Sequence, residues 1–384
     1  MAYGALMARK RQKTAALAMA RAALLACFAL SPAACGSPPP SNAPSQTAAS
    51  ACGASPRGSE LEAPERARIE AFARKIEASM GAGDASFLID RIDAVAMSEP
   101  AMKDPAVAEA ERAEVAEQAS SISRAYGLGI LKGMGAGGRY RLLRAAKLGG
   151  RPAAIFRTVS ESGSFDYHGW IVEPDGQADF KLVDVHLFVL GENMSAMIRE
   201  VVRKTTGASP SEAARCPRVS LLLKLRAARD ADDQAGAAAI LDEVEKLPAD
   251  DPARGSILLD RLIAKKRFAE AKAALEEIDR RVLGDPYLWA LRGNILFLEG
   301  KSELAKSEIG RAVTADPSLE EGYLALIGIS LKERRFKDTA RWLTAMRDVA
   351  GAEILNMETL PEYAEFVRSP EYAEMKASAT RADE

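Results

Sequence analysis

The sequence predicts an α+β unit followed by an all-α array of helical hairpins. Three observations carry that prediction. Apolar residues recur at helical spacing from residue 59 to the glycines at 133–138, four extended alternating runs divided by turn residues continue to residue 190, and from residue 218 a helical pattern repeats every 34 residues. A chain of 384 residues has room for two such units and a leader. Its net charge of −2, with 28% charged residues, lacks the basic excess of a nucleic-acid binder. Two histidines and four cysteines without CxxC or HxxxH spacing predict no metal and no cofactor.

The charge is unevenly spread. No acidic residue precedes Glu60, while Arg9, Lys10, Arg11, Lys13 and Arg21 lead into the short apolar run Ala22–Ala34, the pattern of a signal peptide over residues 1–34 and too short to span a bilayer. Met19 is an alternative start that would leave a compact leader. The run closes Pro32-Ala33-Ala34-Cys35-Gly36-Ser37, which resembles a bacterial lipobox; Leu24-Leu25-Ala26-Cys27 has similar wording but lies inside the apolar run. The resemblance implies lipid attachment at Cys35 and a bacterial envelope protein that faces the periplasm. The absence of an acidic residue after Cys35 implies the outer membrane. Residues 35–58, rich in Pro, Ser and Ala, read as a tether. In an exported chain Cys52 in the tether and Cys216 in the hinge either form a disulfide or stand as two thiols.

Over residues 59–205, Ser59-Glu60-Leu61-Glu62 reads as a capping box before a helix carrying Ile69, Phe72, Ile76 and Met80. Asp84 would cap a second helix with Leu88, Ile92 and Val95 on its apolar face, and Asp104-Pro105 would open a third. Extended runs at 139–148, 151–161, 164–173 and 178–190 are broken by Gly149-Gly150, Ser162-Gly163 and Asp175-Gly176, a four-stranded antiparallel meander joined by two-residue turns. That register places Arg141, Thr158, Tyr167 and Asp184 in one cross-strand row, with His186 in the next, and turns Arg144, Arg157, Asp166, His168 and Lys181 toward solvent. Helices followed by such a meander resemble the cystatin-like cone of nuclear-transport-factor-like proteins. The resemblance implies a pocket between helices and sheet, with Arg141, Thr158, Tyr167, Asp184 and His186 as its polar lining. Such a row either binds a ligand, serves acid–base chemistry, or forms a satisfied network that stitches the sheet.

A hinge at 206–217 leads to four copies, over 218–353, starting at 218, 252, 286 and 320. Their columns agree: Leu225, Leu259, Gly293, Ile327; Ala237, Ala271, Ala305, Thr339; Leu241, Leu275, Ile309, Leu343; Val244, Ile278, Ala312, Met346. With Trp289, Gly293, Asn294, Gly300, Ala305, Ala312, Asp316 and Pro317 in the third copy, the pattern resembles the tetratricopeptide repeat. The resemblance implies a concave groove lined by Arg226, Arg229, Asp260, Ile263, Tyr287, Asn294, Phe297, Leu298, Leu324, Leu331 and Lys332. Ala290, Glu321 and Ala325 replace the basic partners of a carboxylate clamp, so the groove is apolar toward its end and suits a partner helix or the chain's own first domain. Residues 354–384, with Pro-Glu-Tyr-Ala-Glu at Pro361 and again at Pro370, read as capping helices and tail. The function expected is a lipid-anchored envelope scaffold that binds an envelope protein or peptide and no nucleic acid. The alternative is a small-ligand carrier or enzyme using the first unit's pocket.

Overall fold

The computed structural model describes residues 58–105, 107, 109–160, 163–176, 179–205, 221–222, 224–225, 228, 231, 233–351 and 357–382. The leader, the tether as far as residue 57, Cys35, Cys52, Cys216, Arg226 and Arg229 lie outside them, and Gly58, expected to end the tether, pairs with Leu148 in the sheet. The chain divides into two compact units between Leu258 and Leu259.

The first unit opens with β1 (Gly58–Ser59) and helices α1 (Ala63–Gly81), α2 (Ser86–Arg91), α3 (Ala94–Met102) and α4 (Glu109–Met134). Then come β2 (Arg139–Leu148), β3 (Arg151–Val159), β4 (Phe165–Asp175), β5 (Asp179–Leu187), β6 (Glu192–Asn193) and α5 (Met194–Thr205). The six strands pair antiparallel in sequence order. The expected capping box is not formed: Ser59 pairs with Lys147 in the sheet, and α1 begins after Glu62 without a side-chain cap. Asp84 does accept from the Ser86 amide at 2.8 Å, but the next helix stops at Arg91, so Val95 stands 57% exposed on α3 instead of joining Leu88 and Ile92. Asp93 caps α3 through the Ala96 amide and binds Lys181 Nζ at 2.8 Å. The long helix starts at Glu109, four residues past Pro105.

The sheet departs from the expected register in a way that flips residues between faces. Gly149 and Gly150, both at positive φ, make the two-residue turn. Three residues, not two, separate the paired ends of the other hairpins, since Ser160 N donates to Ser164 O and Asp175 pairs with Asp179. The register also shifts within β2 at Leu143 and within β5 at Val183. Each bulge inserts one residue, and with a side-chain period of two that exchanges the faces beyond it. Both bulges are held by distant helices. Glu77 and Glu70 of α1 accept from the amides of Leu142 (3.1 Å) and Ala145 (3.4 Å), and the Asp93 amide donates to Leu182 O at 2.9 Å. The core under the helices joins Ile69, Phe72, Ile76 and Met80 to Phe156, Trp170, Val172, Phe180, Leu182, Val185 and Leu187. The other face is buried too: Ala153, Ile155 and Ile171 are at most 2% exposed.

Beyond the sheet the helices are α6 (Gln234–Glu245), α7 (Pro252–Ala264), α8 (Phe268–Arg281), α9 (Pro286–Leu298), α10 (Ser302–Ala315), α11 (Glu320–Lys332) and α12 (Phe336–Asp348). Starts at 252, 286 and 320, and at 234, 268, 302 and 336, recur every 34 residues. The left-handed residues Lys266, Gly300 and Arg334 that end three of the hairpin turns share the period, and only the middle one is the residue type that adopts this conformation freely. Every residue of the four repeat columns is buried except Ala237 and Leu241, which are half-buried. Small residues in the columns let helices approach. A Cβ on Gly293 of α9 would lie 2.4 Å from Ile309 Cγ1 of α10. Gly293→Leu is therefore expected to part these helices and cost about 2 kcal/mol by overpacking, read as a lower urea midpoint with an unchanged slope.

After α12, short turns Met357–Thr359 and Pro361–Tyr363 lead to α13 (Ala364–Val367) and α14 (Pro370–Ala382). Phe366, fully buried, packs between Phe336 and Tyr372 with ring centroids 5.9 and 5.5 Å away. Glu358 accepts from Tyr372 and Lys376, so this segment closes the apolar end of the last hairpin.

Candidate functional site

The expected polar row is not assembled. Thr158 faces Tyr140 and Asp166; Arg141 faces Arg157; Tyr167 faces Arg157; Asp184 faces Ile171; His186 faces Gly169. Thr158 points to the helix side of the sheet, whereas Tyr167, Asp184 and His186 are on the other. Asp184 serves the backbone there. Its carboxylate accepts from the amides of Val185 (2.8 Å) and Ser195 (3.1 Å), from Ser195 Oγ (2.6 Å) and from Asn193 Nδ2 (3.0 Å), pinning the start of α5 to β5. Burial raises its pKa against the pull of these donors. His186 joins the network through Nδ1 and Asn193 Oδ1 at 2.9 Å, and Tyr167 packs edge-on against Phe165 and Phe188. Around Asp184 the bonds are those of a network that ties strand to helix, the third of the three readings, whereas Thr158 on the opposite face takes no part in it.

Asp166 and His168, expected in solvent, are 5% and 0% exposed and lie under the helices. They belong to a cluster with Tyr126 from α4, Tyr140 from β2, Thr158 from β3 and Trp170 from β4. Trp170 Nε1 donates to Tyr140 Oη at 2.7 Å, and Tyr140 Oη lies 3.2 Å from His168 Nδ1. An indole nitrogen only donates, so Tyr140 accepts there, and of the two imidazole tautomers only the one that takes the phenol proton at Nδ1 gives that proton an acceptor. Burial holds the imidazole neutral by lowering its pKa to about 3, which puts its single proton on Nε2. That N–H has no hydrogen-bond partner; the nearest carboxylate oxygen, Asp166 Oδ2, is 3.8 Å away. Tyr126 Oη and Thr158 Oγ1 are likewise buried without partners. Burial raises the pKa of Asp166 to about 7 although the Tyr167 amide donates to it at 2.7 Å, and raises those of Tyr126 and Tyr140 above the ordinary phenol value. Tyr126 stands edge-on to Trp170, with centroids 5.4 Å apart, and Tyr140 stacks on Phe156 at 4.7 Å, so polar atoms are set among aromatic walls.

Reading by alternation missed this cluster because both sheet faces are buried. Asp166, His168, Trp170 and Val172 share a face, but Tyr167, Gly169 and Ile171 between them are no more exposed, so period two carries no inside-outside signal. Trp170 and Val172 in phase with His168 were the one available hint.

In the second unit, α9 packs beside α11. Leu298 is 54% exposed, and Asn294, Phe297, Leu324 and Leu331 are half-buried. Tyr287, expected on the groove, is 2% exposed and unavailable as a contact; Asp260 and Lys332 are exposed, and Ile263 is half-buried. Lys332 Nζ sits 4.7 Å from the centre of the Phe297 ring.

No protein-family model matches the chain, and neither the curated proteins nor the solved structures include a significant match to it. Among the described residues no helix is long and apolar enough to cross a membrane, and no group of three or more His, Cys, Asp or Glu is arranged to hold a metal ion.

Proposed function

We propose that this protein is an exported, lipid-anchored interaction scaffold of the bacterial envelope, in which a tetratricopeptide-like array receives an apolar segment of another envelope protein. The observation that carries the reading is the 34-residue recurrence of helix starts and left-handed turn positions. A stack of equivalent hairpins buries each unit only against its neighbours and presents the first helices as one extended surface. On that surface Leu298 is the most exposed large apolar side chain, beside Phe297 and Leu331. The lipobox-like Cys35 and the Pro-rich tether support anchoring, and the first unit would supply a cone-like companion domain.

A photo-crosslinker at Leu298 in cells is expected to trap one discrete envelope protein. Leu298→Glu is expected to reduce capture by about tenfold without altering thermal unfolding, since the side chain is mostly in solvent already. No adduct, or equal capture by the variant, would overturn the reading. Phe297 and Leu331 are poorer probes because both pack against the core of the last two hairpins.

A further inference from the structure

The most demanding feature of the first unit is a cluster of buried polar atoms that the fold does not use. Helix caps and bulges elsewhere in this unit are paired with care: Asp84, Asp93 and Asp184 each have donors, and even bulge-flanking amides are met by Glu70 and Glu77. Ser98 Oγ of α3 is also buried without a partner, but Tyr126 Oη, Thr158 Oγ1 and His168 Nε2 stand unpartnered together on the helix side of one end of the sheet. Tyr126 is 1%, Thr158 5% and His168 0% exposed. An unmet buried donor or acceptor costs about 1–3 kcal/mol, so three together are a burden that an apolar replacement would remove.

We propose that Tyr126, Thr158, Asp166 and His168 form a binding site for a small neutral molecule, mainly apolar and ring-shaped, that carries one carbonyl or hydroxyl oxygen. The Trp170–Tyr140–His168 relay fixes the imidazole as an Nε2–H donor, which calls for an acceptor oxygen. An oxygen set to one side of the line from His168 Nε2 to Asp166 Oδ2, which are 3.8 Å apart, would meet both at hydrogen-bond distance, and a hydroxyl there could also donate to the carboxylate. Tyr126 and Thr158 offer a hydroxyl each, able to donate or accept. None of the four side chains is cationic, so an anion finds no counter-charge, and the Nε2–H donor opposes an ammonium. The rings of Tyr126, Tyr140, Phe156 and Trp170 supply the apolar walls expected around a ligand whose polar end is fixed by a few groups.

The chain has only two histidines, so imidazole 15N spectra of the full chain report the site directly, with His186 as an internal control. Phenol and cyclohexanone are the neutral probes; benzoate and cyclohexylammonium are the charged ones. The expected result is an Nε2–H signal from His168 that moves saturably with millimolar phenol or cyclohexanone while His186 stays in place. Tyr126→Phe and Thr158→Val should each weaken that response by about tenfold without lowering the unfolding temperature, because each removes an unmet hydroxyl. A His168 signal unmoved by both neutral probes would indicate ordered water only and overturn the proposal. So would tighter binding of either charged probe, or a Tyr126→Phe variant that unfolds earlier, which would make its hydroxyl part of the fold.

Discussion

Asp184→Ala is expected to cost about 3–5 kcal/mol and to be the most damaging single change at any of the polar positions that the sequence singles out. Removing the carboxylate leaves the amides of Val185 and Ser195, the Ser195 hydroxyl and the Asn193 amide without their acceptor in a site that is 3% exposed. The loss would release the first turn of α5, whose Met194, Met197 and Ile198 belong to the core. Urea unfolding followed by far-ultraviolet circular dichroism should show the midpoint fall, and a variant as stable as the wild type would contradict this structural role. A change confined to the binding of phenol or cyclohexanone, with stability intact, would instead restore Asp184 to the ligand site expected from the sequence.

The second large effect is one that the wild-type protein conceals. Asp166 keeps its proton up to about pH 7 in the folded chain, whereas an unfolded aspartate loses it near pH 4. Its contribution to stability is therefore full below about pH 4 and is lost as the pH rises toward 7. His168 acts in the opposite direction: unfolded histidine takes up a proton below about pH 6.5, but the folded side chain stays neutral down to about 3. Stability is then lost as the pH falls through that window. Between about pH 4 and 6.5 the folded state holds one extra proton at Asp166 and lacks one at His168, and the two slopes cancel. Each variant should expose the other limb. Measured against wild type at the same pH, Asp166→Asn should gain on the order of 1 kcal/mol per pH unit as the pH rises from roughly 4 to 7, and His168→Gln should lose a similar amount as it rises from roughly 3 to 6.5. Urea midpoints over a pH series read both differences, and parallel curves for wild type and variants would show that neither group titrates abnormally.

The contrast between Asp184 and the Asp166–His168 pair shows how far local reasoning reached. Strand positions were legible: 139–148 is the extent of β2, and the start of β3 at Arg151 follows from the two glycines before it. The repeat columns were legible too, since a helix that meets its neighbour through Ala271 or Ala305 needs a small residue at a fixed place in every copy. The capping box at Ser59 failed because the sheet claims that residue, and the helix at Pro105 failed because the chain turns once more before α4. Tyr287 showed the limit of transferring a groove from a resemblance, being placed where the pattern puts it but buried.

The sequence alone determined the order of the helical and extended regions and that the C-terminal helices recur every 34 residues, because these depend on nearest-neighbour turn chemistry and on a repeated local pattern. The tertiary structure alone decided which residues meet across the sheet. One inserted residue at Leu143 or Val183 reverses a strand's faces, and the groups that bond to the backbone and side chains beside these bulges, Glu70, Glu77 and Asp93, lie on a helix or at its cap as many as 75 and 88 positions from their partners in the sheet. That distant choice turned Asp184 into a structural anchor and set Tyr126, Thr158, Asp166 and His168 together beneath the helices.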